Sequence, residues 1–170
     1  MQNERFTPDR WLQPDPSLSV FSKMNLTTGT VEPMTAQDWF VVWRDAIVDP
    51  AVPPDIVNRI EQARACLAYG FFYYALGVEQ LLRVAEAALT LRCETLNVPR
   101  NSRTFEKRID WFAGSGTIQN FDRDHWHVLR KVRNETTHGA HRMLLTPAAA
   151  KQLLHDVVAA ITLLFAQPTP

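Results

Sequence analysis

From Ile56 to about Leu96 the chain runs without proline and is rich in Ala, Leu, Glu and Arg. Proline breaks a helix interior because it lacks the N–H donor and its ring clashes with the preceding turn. A run of good helix formers without it reads as helix. Unbroken, about 40 residues would span about 60 Å at 1.5 Å per residue. That is too long for a domain of 170 residues, so a kink or break is expected at Gly70 or Gly77. The aromatic cluster Tyr69, Phe71, Phe72, Tyr73, Tyr74 at this point reads as core or dimer interface rather than as a ligand box.

The flanking segments obey the same logic. Residues 1–34 are interrupted by Pro8, Pro14, Pro16 and Pro33 and carry no helical period. They read as an irregular arm, with a short run such as Leu18 to Phe21 extended and with Phe6, Trp11 and Phe21 as anchors. Thr35 followed by Asp38 resembles a capping box opening a helix over about 36–47. Asp49-Pro50 and Pro53-Pro54 close it, and Asp55 is the expected N-cap of the next helix. After a loop over 98–102, a short helix runs from Thr104 to Ala113, and Gly114-Ser115-Gly116 ends it. Asp122 opens a helix that ends near Gly139, a residue suited to the left-handed cap. Thr146 and Pro147 start the last helix, which runs to about Ala166. No segment shows sustained strand alternation. The expected fold is all-α, an up-and-down bundle of four to five main helices. Residues 1–54 form an arm with a short helix packed on the domain, and residues 55–170 form the bundle.

Composition narrows the function classes. With 46% hydrophobic residues, the chain buries a core without a metal or disulfide staple. Cys66 and Cys93 both lie in apolar helical context, which reads as free thiols in a reducing, cytoplasmic setting. The N-terminus shows no secretory pattern. The most apolar stretch, Ala65 to Val78, is shorter than the roughly 20 residues of a membrane span, so no membrane partner is expected. Net charge is zero, but it is segregated. Residues 1–91 hold 7 basic and 11 acidic side chains, whereas 92–142 hold 10 and 6, before His125, His127, His138 and His141 are counted. Neutrality excludes indiscriminate nucleic-acid coating and leaves room for a local phosphate site.

That basic segment contains the helix with the most chemistry. With Asn134 set at zero and 100° per residue, His127 falls at about +20°, Arg130 at about −40°, His138 at about +40° and Arg133 at about −100°. Val128, Leu129, Val132 and Thr136 fall between about 120° and 220°, so that face is expected to meet the bundle. Two histidines, two arginines and an asparagine without an acid are an unusual mixture for a merely solvated face. A metal site is disfavoured, because His125 and His127 point to opposite helix faces. There is also no His-Glu-x-x-His or Cys-x-x-Cys spacing. Ser115 between glycines lacks the preceding strand of a nucleophile elbow, and there is no phosphate-binding glycine loop or other cofactor motif.

Arg133-Asn134-Glu135-Thr136-Thr137-His138 resembles the Arg-x4–6-His signature of the HEPN superfamily (higher eukaryotes and prokaryotes nucleotide-binding), in the form where a polar residue follows the arginine. Its context is similar too. Trp126 to Val132 resembles the family's approach to the signature. Phe105 to Phe112 with Gly114 to Ile118 looks like the short helix and turn of its bacterial stand-alone members. Gly77 to Arg83 looks like their first core helix, with an acidic residue near Glu79. The similarity covers roughly 56–165, and the first 55 residues have no counterpart.

The resemblance implies metal-independent RNA cleavage by a homodimer, in a toxin or defence context, with an antitoxin or regulatory protein among its partners. In that reading Arg133, Asn134 and His138 are catalytic, and Arg130, His127, Lys131, His141 and Glu79 bind substrate. No cofactor is implied. Histidine titrates near neutral pH and suits proton transfer, and arginine offers a planar fork to phosphate oxygens. Arg133 and His138 diverge by about 140° on an ideal helix, so two chains side by side bring such groups together more readily than one. The alternative is a non-catalytic nucleotide- or protein-binding module in which the same side chains tie helices together.

Overall fold

In the computed structural model, the described residues are 18, 20–99, 102–118, 120–138 and 146–166; the side chains of 71, 72, 120, 121, 137 and 138 fall outside this description. They form a helical bundle of six helices with a two-stranded antiparallel hairpin at its N-terminal side. The all-α expectation holds.

The hairpin corrects the reading of residues 1–34 as irregular. Strands β1 (Ser22–Met24) and β2 (Val31–Pro33) pair with Ser22 opposite Pro33, Lys23 opposite Glu32 and Met24 opposite Val31. The turn is built by Asn25, whose Oδ1 accepts the N–H of Thr27 at 3.0 Å and of Thr28 at 3.3 Å. Gly29 supplies a φ of +72°. Lys23 Nζ reaches Asp38 Oδ1 at 2.6 Å, tying the hairpin to the first turn of helix α1 (Ala36–Arg44). Phe21 meets Trp39 edge-on at 5.3 Å, Trp39 stacks on Trp43 at 6.1 Å, and Trp43 meets Tyr74 at 5.7 Å. This aromatic chain docks the arm. Phe21 is one of its anchors, and Phe6 and Trp11 lie outside the described residues.

The expected capping box is present: Thr35 Oγ1 accepts the Asp38 N–H and Asp38 Oδ2 accepts the Thr35 N–H at 2.7 Å. Helix α1 ends three residues earlier than expected. Ala46 just beyond it is buried, and its carbonyl accepts a hydrogen bond from the buried Arg64 guanidinium. Helix α2 (Pro54–Ala68) opens with Pro54 at its first position rather than on an Asp55 cap.

The break in the long proline-free run falls at Gly70, whose φ of +107° and ψ of −168° are open to glycine and strained for other residues. Helix α3 (Phe71–Thr95) then runs 25 residues straight through Gly77. Here glycine serves closeness: a Cβ at 77 would lie 2.9 Å from the Leu67 side chain and 3.2 Å from the Ala63 carbonyl oxygen of α2.

Helix α3 is the central element, packing against α2, α4 (Phe105–Gly114), α5 (Asn120–His138) and α6 (Pro147–Ala166). The core between them is formed by Leu81, Leu82, Ala85, Leu89, Ile109, Phe112, Leu154 and Ile161, all at 1% exposure or less. Thr104 caps α4 and Thr146 caps α6 through their hydroxyls, at 3.2 and 3.3 Å from Lys107 N and Ala149 N. Asp45, just after α1, accepts from Lys151 Nζ at 2.5 Å and lies 2.8 Å from His155 Nε2, fastening the N-terminal side to α6. By length and composition α6 could cross a membrane, so among the described residues it, and not the Ala65–Val78 stretch, is the long apolar helix. In this fold one face of it, from Ala150 through Leu154, Val157 and Ile161 to Leu164, is buried in the bundle.

Candidate functional site

Helix α5 begins at Asn120, two residues before the expected start, with Asp122 in its first turn, where a negative charge complements the helix dipole. Its buried line contains Trp126 and Leu129, at 1% and 2% exposure, and Trp126 meets Phe105 of α4 edge-on at 6.4 Å. The solvent-facing line is Asp124, Val128, Lys131 and Glu135, each exposed. That rotates the helix relative to the expectation. Val128, placed on the bundle face from its hydropathy, is 54% exposed, while the basic stripe lies on the flank against α3 and α4. Trp126 decides the rotation: it is the largest apolar side chain of the helix, and burying it turns the stripe inward.

Acidic partners from neighbouring helices meet each basic group of that flank. Arg123 Nη2 lies 2.7 Å from Asp110 Oδ1, and His127 Nε2 lies 3.4 Å from the same oxygen. One turn on, Arg130 Nη2 lies 3.5 Å from Glu106 Oε1. Another turn on, Arg133 Nη2 lies 2.9 Å from Glu86 Oε2 of α3, and its Nη1 donates to Asn134 Oδ1 at 3.2 Å. Hydrogen bonding from Arg123, joined by His127, holds the Asp110 carboxyl below the usual carboxylate range against the opposing effect of burial. The ladder leaves buried nitrogens over. Arg130 Nε, Arg133 Nε and His127 Nδ1 have no hydrogen-bond partner among the described residues.

The expected site residues separate into groups. Arg133, Asn134, Arg130 and His127 come together on one flank. Lys131 is exposed on the solvent-facing line, away from them. Glu79 lies on α3 but takes Arg83, at 2.6 Å, four residues along its own helix. His138 is the last residue of α5, its side chain outside the description, and His141 lies outside the described residues. Sequence reasoning missed Glu86, Glu106, Asp110 and Arg123. A signal for them exists: Glu79, Arg83, Glu86 and Thr90 recur at four- and three-residue spacing on one face of α3, and Glu106 and Asp110 do so on α4.

No group of three metal-ligating side chains occurs among the described residues. Cys66 and Cys93 are free, Cys93 buried, and burial pushes both thiols up from their ordinary range. The arrangement offers a guanidinium, held by a carboxylate and an amide, at the end of a helix flank carrying two further cations and an imidazole. Such a flank can hold a phosphate through arginine forks once a carboxylate yields its place. Comparisons with family models, with curated proteins and with solved structures return no match.

Proposed function

We propose that the chain is a metal-independent endoribonuclease of the HEPN type, acting as a homodimer on RNA. The observation that supports this best is the state of Arg133. It precedes the signature histidine by five positions on one helix, touches Asn134, and keeps a buried Nε without a partner among the described residues. A buried donor left over in a native fold calls for an explanation, and a substrate oxygen is one. In the proposed reaction the 2′-oxygen bonds to its own phosphorus as the 5′-oxygen leaves, giving a 2′,3′-cyclic phosphate and a 5′-hydroxyl. His138 moves the protons, and Arg133 meets the charge on the phosphorane oxygens. Neither step calls on a metal.

A second reading is favoured by the ion-pair ladder itself. Arg123, Arg130 and Arg133 all answer carboxylates of α3 and α4, as expected if the flank ties helices together in a non-catalytic binding module. Incubating the protein with RNA in EDTA, beside His138→Ala and Arg133→Ala, separates the two. The nuclease reading expects cleavage that falls by about 100-fold or more in His138→Ala. Cleavage surviving both substitutions would remove the site assignment, and no cleavage by the native chain would favour the module.

A further inference from the structure

We propose that the cavity at the C-terminal end of α3 is a phosphate site, with Arg103 and Arg108 as its anion-holding side chains. The cavity measures about 650 Å³, and its lining includes Thr90, Cys93, Glu94, Ser102, Arg103 and Arg108. Arg83, Arg123, Arg130 and Arg133 each face a carboxylate within 3.5 Å. Arg103 and Arg108 face none among the described residues. Arg108 Nη1 donates instead to a neutral group, the Thr90 hydroxyl, and Arg103 is exposed.

The lining carries two guanidiniums against one carboxylate, Glu94, which itself forms no ion pair among the described residues. The Ser102 hydroxyl adds a neutral donor, whereas the Thr90 hydroxyl is spent on the Glu86 carbonyl. Arginine forks without a carboxylate partner, beside a hydroxyl donor, are chemistry that recognises a phosphate, since guanidinium geometry matches two phosphate oxygens at once. The volume falls in the range of small-molecule sites, which leaves room for a phosphate carried on a sugar.

A second cavity, of about 380 Å³, shares Thr90 and Glu94 with the first and continues along α3 through Glu86, the partner of Arg133, to Arg83. Its lining sets Asp55, Glu86 and Glu94 against Arg59 and Arg83, so the anion site is the first cavity. The phosphate preference of the first cavity stands without the nuclease reading.

The test uses the full chain and two probes. One is a fluorescein-labelled single-stranded oligonucleotide of about 12 residues, carrying 2′-O-methyl groups so that it cannot attack its own phosphate. The other is adenosine monophosphate as a competitor. Arg103→Ala is expected to weaken oligonucleotide binding about tenfold, with Arg103→Lys recovering part of the loss. The slope of log affinity against log salt should fall by about 0.7, as for one released counterion on a single strand. Arg103→Ala should leave Tm unchanged, because the side chain is exposed. Arg108→Ala should weaken binding too, and Arg103→Ala serves as its control should loss of the Thr90 contact unfold the chain. Competition by adenosine monophosphate identifies a single nucleotide as sufficient; binding of the oligonucleotide alone identifies a strand. Unchanged affinity and salt slope in Arg103→Ala would overturn the proposal, as would a native chain that binds neither probe at millimolar concentration. Binding through Arg103 without any RNA cleavage keeps this site and removes the nuclease. Cleavage with binding indifferent to Arg103 does the reverse.

Discussion

Arg133 of α5 and Glu86 of α3 form an ion pair at 2.9 Å, with 28% and 29% of their side chains exposed. Both are dry enough for the contact to matter and wet enough for the loss of one partner to be survivable. Glu86→Gln is expected to cost about 1–2 kcal/mol, between the values for exposed and for buried charged hydrogen bonds. In a thermal melt that is a fall in Tm of about 3–6 °C. Arg133→Ala should cost a similar amount, and the double variant less than the two together, because each removes the same contact.

Acid should loosen the fold at identifiable carboxylates. Lys23 and Thr35 hydrogen-bond Asp38 and hold its pKa at about 2, against 3.8 ordinarily. Asp110 is lowered by Arg123. A carboxyl whose folded value lies below its unfolded one stabilises the fold fully above the unfolded value and loses that contribution as pH falls through the folded one. Tm should therefore hold above about pH 4 and decline towards about pH 2. Asp38→Asn should flatten this decline, and an unchanged acid limb in that variant would show that Asp38 does not contribute to it.

The two glycines of the α2–α3 region should respond differently to alanine. Gly70→Ala forces a side chain into a φ of +107° and is expected to cost about 1–3 kcal/mol. Gly77→Ala costs a similar amount through overpacking, because its Cβ would meet Leu67 at 2.9 Å. Trimming the neighbour in Leu67→Val should recover part of the loss at Gly77 and none of the loss at Gly70. Chemical denaturation of the three single variants, and of each glycine variant combined with Leu67→Val, checks this.

Lys131→Ala should leave stability within about 0.5 kcal/mol of the native chain, because the side chain is exposed on the solvent-facing line of α5. Arg130→Ala should cost more. Its side chain is only 20% exposed, and it leaves Glu106 without its cation. A larger loss at Lys131 than at Arg130 would overturn the helix rotation described above.

Local chemistry was legible wherever one segment decides the outcome. The Thr35–Asp38 box, the Thr146 cap and the break at one of two glycines are all written in consecutive residues. The hairpin was not, because strands of three residues are too short to show alternation, and its Lys23–Asp38 tie spans two elements. On α5 the residue types of the flank were readable, but its orientation was not. Which side a helix buries depends on what Trp126 finds opposite it, and Phe105 lies in another helix. The carboxylates answering Arg123, Arg130 and Arg133 sit on α3 and α4, so only tertiary placement reveals them.

The close approach of α2 and α3 at Gly77 bears on the order in which the chain assembles. Two residues, Tyr69 and Gly70, separate the two helices, so little loop entropy is lost when they dock, and contacts between near neighbours in sequence form fast. The Asp45–His155 fastening joins positions 110 residues apart and rewards the chain only after most of it is in place. The α2–α3 hairpin is thus expected to form early, and the clasp between the N-terminal side and α6 late.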